Sequence, residues 1–537
     1  MSFDRYFIIS MPTLNWIGKE AVVNHDKEVP FRLLRKVKSS SVGDNSQNLI
    51  IHGDNLEALK ALMPYYVGKI KCIYIDPPYN TGNEKWVYND KVNSPKIKKW
   101  FGKVVGGQSA DLCRHDKWLC MMYPRLKLLR DLLAEDGVIF ISIDDNEHCS
   151  MRGIADEIFG DENFLANLVW ANKEGGGSSD SKNFRIKHEY IVVYSKNIDS
   201  ISIKGVDIGN RDRYKQSDEY ESIRGPYYLQ KLGMGTIQYS TSLDYAIQAP
   251  DGTKIFPKDN NNGKKACWRW SQKKLEWGLK EKFIEFKKDK NGIWQVYTKQ
   301  YLNCDNEGKV IERKQRPFGV IDEHSSTQAA KAMQELFDSN IFSYSKPVSL
   351  IKYLISLVSS GEDIILDSFA GSGTTGHAVL DLNKEDGGER KFILVELEEK
   401  IAKYITAERV KRAVKKYDYK DGFEFCELDK PLFDEQGQIE ETCEFNQFAT
   451  YIYFTETQTN IDKNKIEKNF IGEHSDTEFY LIYKEKDKNI LTKSFLSKLR
   501  KTENKKIVYA DKNYLDEDVL LKYNIVFKQI PYEVKVY

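Results

Sequence analysis

Short apolar runs alternate along this chain with segments whose apolar residues recur every three or four positions. Asn48–His52 (NLIIH) is one such run, closed by Gly53-Asp54-Asn55, and Leu56–Leu62 (LEALKAL) then has helical spacing. Lys71–Ile75 (KCIYI) reads as a buried strand that stops at Asp76-Pro77-Pro78-Tyr79. Met121–Leu133 carries Leu126, Leu129, Leu132 and Leu133 on one side of a helix. Gly137 breaks it, and Val138–Ile143 and His188–Ser195 read as further strands. Strands alternating with helices imply βαβ units and a parallel, doubly wound α/β sheet.

From about Lys196 to His324 this periodicity weakens, and Gly, Asn, Lys and aromatic residues dominate. Alternation returns with a helix at Val348–Val358 and a strand at Asp363–Leu366. The run Asp367-Ser368-Phe369-Ala370-Gly371-Ser372-Gly373-Thr374-Thr375 follows, then a helix through Ala378–Leu382. Lys391–Val395 is a strand ending in Glu396, ahead of a charged helix over Lys400–Lys416. The last segment pairs strand-like runs Phe479–Tyr483 and Lys506–Ala510 with an expected helix Leu491–Lys501. The pattern divides the chain into an N-terminal extension (1–45), one half of the sheet (46–195), an insertion (196–335), the other half (336–418) and a small C-terminal α/β domain (419–537).

A chain of 537 residues implies roughly two to four domains. With 41% hydrophobic and 30% charged residues it has the make-up of a soluble globular protein, and no run is long enough to span a membrane. The opening MSFDRYFIISMPTLNW lacks the basic start and apolar centre of a secretory signal. Eight cysteines without a CxxC pair fit a reducing cytoplasm better than a zinc ribbon or disulfide scaffold, and no metal site is expected. The net charge of +1 excludes a global polyanion-binding surface, so any nucleic-acid contact needs a local basic patch.

Two segments carry chemistry. After the strand ending in Asp367, Gly371 and Gly373 let a ligand approach the backbone, and the next helix offers free N–H groups to an anion. Glu396, at the end of the following strand, is where a ribose diol is held in nucleotide-binding βαβ units. A tight turn accounts for the glycines equally well when they are taken alone. No GK[ST] follows, which excludes a Walker loop. The second segment is Asp76-Pro77-Pro78-Tyr79. Its prolines make a stiff elbow, Asp76 and the backbone carbonyls are acceptors, and Tyr79 is an aromatic platform, which together suit an amino group on a flat base. An ordinary proline turn is the competing account. The Asp76 carboxylate has no structural duty legible in the sequence.

DPPYNTG at 76–82 together with DSFAGSGTTG at 367–376 resembles the β group of S-adenosylmethionine-dependent DNA amino-methyltransferases. Within it, the chain is similar to modification subunits of type III restriction–modification systems. Residues 14–34, HEYIVVYSK (188–196) and FSYSKP (342–347) extend the match over most of 12–430. The resemblance implies a Rossmann-like, circularly permuted sheet in which strand 363–366 comes first, 391–395 second, 48–52 third and 71–75 fourth. Asp54, Asp76, Asp367 and Glu396 then share the carboxyl ends of the strands.

The resemblance also implies the roles. Asp76, Pro77, Pro78 and Tyr79 are catalytic, with Tyr79 stacking on a flipped base. Phe369, Ala370, Gly371, Ser372, Gly373 and Lys346 take the methionine part of the cofactor, Glu396 its ribose and Asp54 its adenine amino group, and Asp367 and Thr374 are also cofactor-binding. Three of these have a competing role: Asp54 as a helix N-cap, nearly as well supported, Lys346 as a solvated lysine, and Glu396, equally, as a first-turn acid. The insertion is the expected target-recognition region, with Lys264, Lys265, Arg269, Lys273 and Lys274 as DNA contacts; a basic face over a tryptophan core is the competing account. The glycine-rich loop 175–179 is expected to order on DNA. The implied activity is methylation of adenine N6 in double-stranded DNA by a bacterial cytoplasmic homodimer, with a separate restriction subunit as possible partner. Cytosine N4 is the runner-up target; an RNA methyltransferase and an idle DNA-binding module are more distant.

Overall fold

Ten strands form one large mixed sheet, and their order carries the functional geometry. A computed structural model describes the chain outside residues 1–12, 44–45, 82–98, 100–101, 106–112, 174–183, 210, 235–237, 259–264, 340, 343, 434–438, 441, 463–465, 484–488 and 531–537. In chain order the strands are β1 (Arg32–Lys36), β2 (Leu49–His52), β3 (Ile70–Ile75), β4 (Leu133–Ile143), β5 (Phe164–Trp170), β6 (Glu189–Ser195), β7 (Val320–Ile321), β8 (Ile364–Asp367), β9 (Lys391–Glu396) and β10 (Glu424–Pro431). They lie in the order β1-β10-β2-β9-β8-β3-β4-β6-β5-β7. The expected sequence of first, second, third and fourth strands is met by β8, β9, β2 and β3.

From β10 to β4 the neighbours run parallel: β8 pairs Leu366 with Ile393 of β9 and with Ile73 of β3, and Glu396 of β9 pairs with His52 of β2. These strands are buried on both faces, which is why they read as unbroken apolar runs rather than as alternation. Strand β6 is antiparallel to both β4 and β5.

The helices start where polar side chains satisfy free backbone donors. Asp54 caps α1 (Asn55–Tyr66), accepting from the Leu56 and Glu57 N–H groups. Helix α2 (Arg114–Leu132) begins with a capping box between Cys113 and Asp116. Leu56, Leu59 and Leu62 of α1 and Leu126 and Leu129 of α2 join Ile73 and Ile75 in the main core. Helix α3 (His148–Phe159) adds Met151 and Ile154 to the same core, and helices α4 (Ser326–Phe337), α5 (Val348–Val358), α6 (Thr374–Asp386) and α7 (Glu408–Tyr417) follow along the chain. A π-turn at Ala402–Ala407 leads into α7.

Several expected boundaries move. The chain divides into two compact units, 205–317 and the remainder, so the inserted unit is narrower than 196–335. Strand β7 pairs with β5, and Met333 of α4 packs with Phe342 and Ile401, which ties both elements to the larger unit. Strand β10 lies between β1 and β2 in the large sheet, so the C-terminal segment with its own sheet begins after it rather than at 419. That sheet comprises β11 (Phe470–His474), β12 (Thr477–Leu481), β13 (Lys505–Ala510) and β14 (Ile525–Gln529), with helix α8 (Phe445–Thr457) adding Phe448 and Ile452 to its core.

The expected helix at 491–501 is absent. Ile490–Leu491 is a short strand and Lys493–Lys498 a 3-10 turn. Leu491, Phe495 and Leu499 are buried at a helix-like spacing of four, but hydroxyls at Thr492, Ser494 and Ser497 bond locally and favour the turn.

The closure of the sheet by β10 has a sharp steric requirement. A Cβ at residue 422 would lie 1.9 Å from the Val42 carbonyl oxygen, and the Gly422 carbonyl accepts from Ser46 and Asn48. Gly422→Ala should destabilise the protein by about 3 kcal/mol, read as a lower urea midpoint. An unchanged midpoint would mean that this edge yields without cost.

Candidate active site

The first strand end is fixed by covalent chemistry. Pro77 and Pro78 lack N–H donors, so β3 cannot extend its ladder past Ile75. The Trp118 indole N–H donates to the Pro78 carbonyl at 2.6 Å and holds the elbow against α2. Asp76 is thereby presented at the carboxyl edge of the sheet, at the switch point where strand order reverses between β8 and β3.

The Asp76 carboxylate does have a partner. Lys346 Nζ donates to its Oδ2 at 2.6 Å and lies 3.8 Å from Glu189 of β6. The same ammonium sits 5.1 Å from the Tyr79 ring centroid and 5.9 Å from that of Trp170. Burial opposes the lysine's charge, but Asp76 and Glu189 outweigh it and hold its pKa above the usual value. Lys346 is thus neither solvated nor confined to the glycine turn. The second Asp76 oxygen, Oδ1, is buried and makes no hydrogen bond. Tyr79 is buried, and its hydroxyl donates to Glu189 Oε2 at 3.0 Å. Glu189 Oε1 in turn accepts from Asn172 at 2.7 Å.

The glycine turn stands across from this group. Gly371 and Gly373 have φ of 52° and 78°, a left-handed backbone that suits glycine. At Gly373 the space is filled by the chain itself: a Cβ would lie 3.0 Å from the Thr406 carbonyl oxygen, so this glycine serves helix packing. The Gly371 N–H donates to Glu396 Oε2 at 3.0 Å, and Glu396 Oε1 accepts from the Glu398 N–H at the same distance. Asp367 accepts from the Phe369 N–H at 3.0 Å and from the Thr375 hydroxyl at 2.5 Å. The Ala370 N–H donates to the Val395 carbonyl. Hydroxyls of Ser345, Ser372 and Thr374 cluster within 3.3 Å of one another, and Arg409 Nη1 donates to all three.

Two cavities meet at Phe369. One is lined by Asp76, Lys346, Asp367, Gly371, Ser372 and Thr374, the other by Asn55, Pro78, Arg125, Ser368, Glu396 and Leu397. Sequence motifs 270 positions apart (346 − 76) therefore face one space. A larger cavity of about 350 Å³ opens at the amino ends of the strands, beside Leu49, Ile364 and Lys391, away from both motifs. Asp54 is committed to structure. Besides capping α1 it accepts from Arg125, whose fully buried guanidinium also donates to Asn55. Glu189, Arg125, Trp118, Ser345 and Arg409 escaped the sequence reading of roles, although Glu189 lies in the HEYIVVYSK match and Ser345 in FSYSKP.

In the inserted unit the basic cluster divides. Trp268 and Trp270 are core residues, and Arg269 donates to Gln230 and Thr298, so it is tied into the unit's own sheet rather than presented outward. Lys274 lies over the Trp270 ring. Lys265 and Lys273 are exposed. Lys264 and the loop 175–179 lie outside the described residues.

A family model described as DNA methylase (N6_N4_Mtase) matches residues 70–408. The chain is 33% identical over 426 residues to the type III restriction-modification enzyme EcoPI Mod subunit of Escherichia phage P1, covering 73% of this chain and 64% of that protein. It is 32% identical over 507 residues to the EcoP15I Mod subunit of Escherichia coli, covering 83% and 75%. It is 31% identical over 381 residues to the type II methyltransferase M.KpnI of Klebsiella pneumoniae, covering 68% and 85%. The chain thus spans less than two thirds of the phage relative's length.

Burial, with repulsion from Asp76 and Glu396, raises the Asp367 carboxyl to about 7 despite its two hydrogen bonds. The folded ligand-free protein therefore holds a proton that the unfolded chain releases, and stability falls as pH rises from about 4 to 7. Asp367→Asn keeps an acceptor without the charge. It should raise the melting midpoint above pH 7 and flatten that part of the pH profile; a profile parallel to the wild type would contradict this account.

Proposed function

The chain belongs to the DNA methylase family, and on that footing we propose that it methylates adenine N6 in double-stranded DNA, using S-adenosylmethionine, as the modification subunit of a type III-like restriction–modification system in the bacterial cytoplasm. The observation that carries this reading is the buried, unpartnered Oδ1 of Asp76. A buried acceptor left without a donor is costly, and an exocyclic amino group supplies the missing donor.

The residues fit the cofactor. The first cavity gathers the carboxylates of Asp76 and Asp367 around the ammonium of Lys346, with Glu189 behind Tyr79, and the second sets Glu396 and Glu398 against the guanidinium of Arg125. Carboxylates outnumber cations, which suits a cationic sulfonium, and the unpartnered Ser368 hydroxyl suits the polar sugar. Phe369, Ala370, Gly371, Ser372 and Thr374 would hold the methionine part, with Gly373 keeping the turn packed on Thr406, and Glu396 the ribose, whose hydroxyls can use lone pairs left on a carboxylate already fixed by two N–H groups. Asp54 is better read as the brace that sets Arg125 beside the second cavity. When bound, S-adenosylmethionine supplies a methyl on a good leaving group.

The protein's task is then to position the amine and stabilise charge developing on it. Lys346 fixes one Asp76 oxygen, which leaves the other to accept from the amine. Trp118 occupies the Pro78 carbonyl, leaving that of Pro77 for a second hydrogen bond to the same group. Tyr79, anchored through its hydroxyl to Glu189, presents a fixed ring against which a flipped base can stack. Flipping costs a few kcal/mol, which stacking and these hydrogen bonds must offset.

The inserted unit 205–317 is the part we assign to sequence choice, with Lys265 and Lys273 available to phosphates. The similarity to proteins named as Mod subunits of restriction-modification enzymes supports a separate restriction subunit as partner, and a homodimer is part of the same proposal.

Incubating the protein with DNA and labelled S-adenosylmethionine, then digesting the product, should yield N6-methyl-2′-deoxyadenosine. N4-methylcytosine would transfer the reading to the runner-up, and label in RNA alone would reject both. Exchanging residues 205–317 for the matching segment of a related enzyme should change the methylated site and retain the chemistry. An active exchange with unchanged specificity would remove recognition from this unit.

A further inference from the structure

Arg409 is the most conspicuous charged group that the proposed reaction leaves unused. It is fully buried, and no carboxylate forms an ion pair with it among the described residues. Nη1 donates to the hydroxyls of Ser345, Ser372 and Thr374 at 2.9, 2.7 and 2.7 Å, while Nε and Nη2 are buried without any partner. Burial lowers its pKa to about 9, so the guanidinium is still charged at neutral pH. Retaining a buried cation without an anion is costly unless an anion arrives.

The geometry around Nη1 indicates where. Thr406 and Arg409 lie three residues apart on one helical face, and Thr406 donates to the Gly371 carbonyl, so this face is fastened to the glycine turn. A guanidinium can only donate, so the two Nη1 hydrogens are shared among the three hydroxyl oxygens; Thr374 donates its own proton to the Lys346 carbonyl at 3.3 Å and Ser345 lies 3.5 Å from the same oxygen, which leaves the Ser372 proton available. Ser372 and Thr374 line the cavity that also holds Asp76 and Lys346. Thr374 stands at the first position of α6, where free backbone N–H groups add to the positive field.

We propose that Arg409 is a positioning residue for the cofactor's carboxylate: by donating to the hydroxyl oxygen of Ser372 it leaves that hydroxyl's proton for the cavity, and it supplies the countercharge from behind. This inference rests on the S-adenosylmethionine reading above and extends it to a residue outside both motifs. A residue serving only to pack α7 would stabilise the empty protein. An arginine awaiting an anion would instead weaken it.

The test is calorimetry with two probes, S-adenosylhomocysteine, which carries the amino-acid carboxylate, and methylthioadenosine, which lacks it. Arg409→Met should lower affinity for S-adenosylhomocysteine by about 10–100-fold, as for loss of charge-assisted hydrogen bonds, and leave methylthioadenosine binding unchanged. Its ligand-free melting midpoint should equal or exceed the wild type's. Arg409→Lys, which keeps the charge, should recover part of the lost affinity. Equal losses for both probes, or no loss for S-adenosylhomocysteine, would overturn the proposal. If neither probe binds the wild type, the cofactor reading itself fails, and the proposal falls with it.

Discussion

A single buried ammonium, that of Lys346, holds this site together. It bridges Asp76 at the end of β3 and Glu189 on β6, and it lies against the ring of Tyr79. These side chains come from segments far apart in sequence, joined only because β8 inserts between β9 and β3. Without the lysine, the two carboxylates would face one another with no cation between them. With it, Asp76 has one oxygen fixed, while the other remains an unsatisfied acceptor. The catalytic proposal depends on that asymmetry.

The same electrostatics extends across the cavity. Asp367 is pushed up to about 7 by burial and by its acidic neighbours, which marks the start of the glycine turn as short of positive charge. Arg409, on α7 packed behind that turn, supplies the opposite condition, a buried cation short of an anion. A ligand with a cationic centre and an anionic end satisfies both. S-adenosylmethionine is such a ligand, and the imbalance comes from residues that shape alone would not single out.

The strands were legible because those buried on both faces appear as compact apolar runs, whereas their permuted order came from the family resemblance carried by the two motifs at the ends of β3 and β8. The sequence could not reveal partners. Asp76 looked free of structural duty, yet it is paired with a lysine 270 residues on; Asp54 fitted two roles, and the helix cap together with Arg125 accounts for it. Arg269 looked like a DNA contact because it stands among lysines and tryptophans, whereas its guanidinium is spent on Gln230 and Thr298. Composition could not separate these cases, since a cation beside an aromatic residue has the same local pattern whether it faces a core or solvent. The expected helix at 491–501 failed for a similar reason: apolar spacing of four is shared by a strand followed by a 3-10 turn.

The central claim is that the free oxygen of Asp76 accepts a hydrogen bond from the amine being methylated. Single-turnover methyl transfer by Asp76→Asn at saturating DNA and cofactor tests it most directly. Lys346 can only donate, so the amide oxygen must turn toward it and the amide N–H groups toward the amine, replacing an acceptor with a donor at almost unchanged volume. The account predicts a transfer rate lower by on the order of 10²–10³, about 2.7–4 kcal/mol, with DNA and cofactor affinity nearly preserved. A wild-type transfer rate in the folded variant would contradict it and leave Asp76-Pro77-Pro78-Tyr79 as a structural turn.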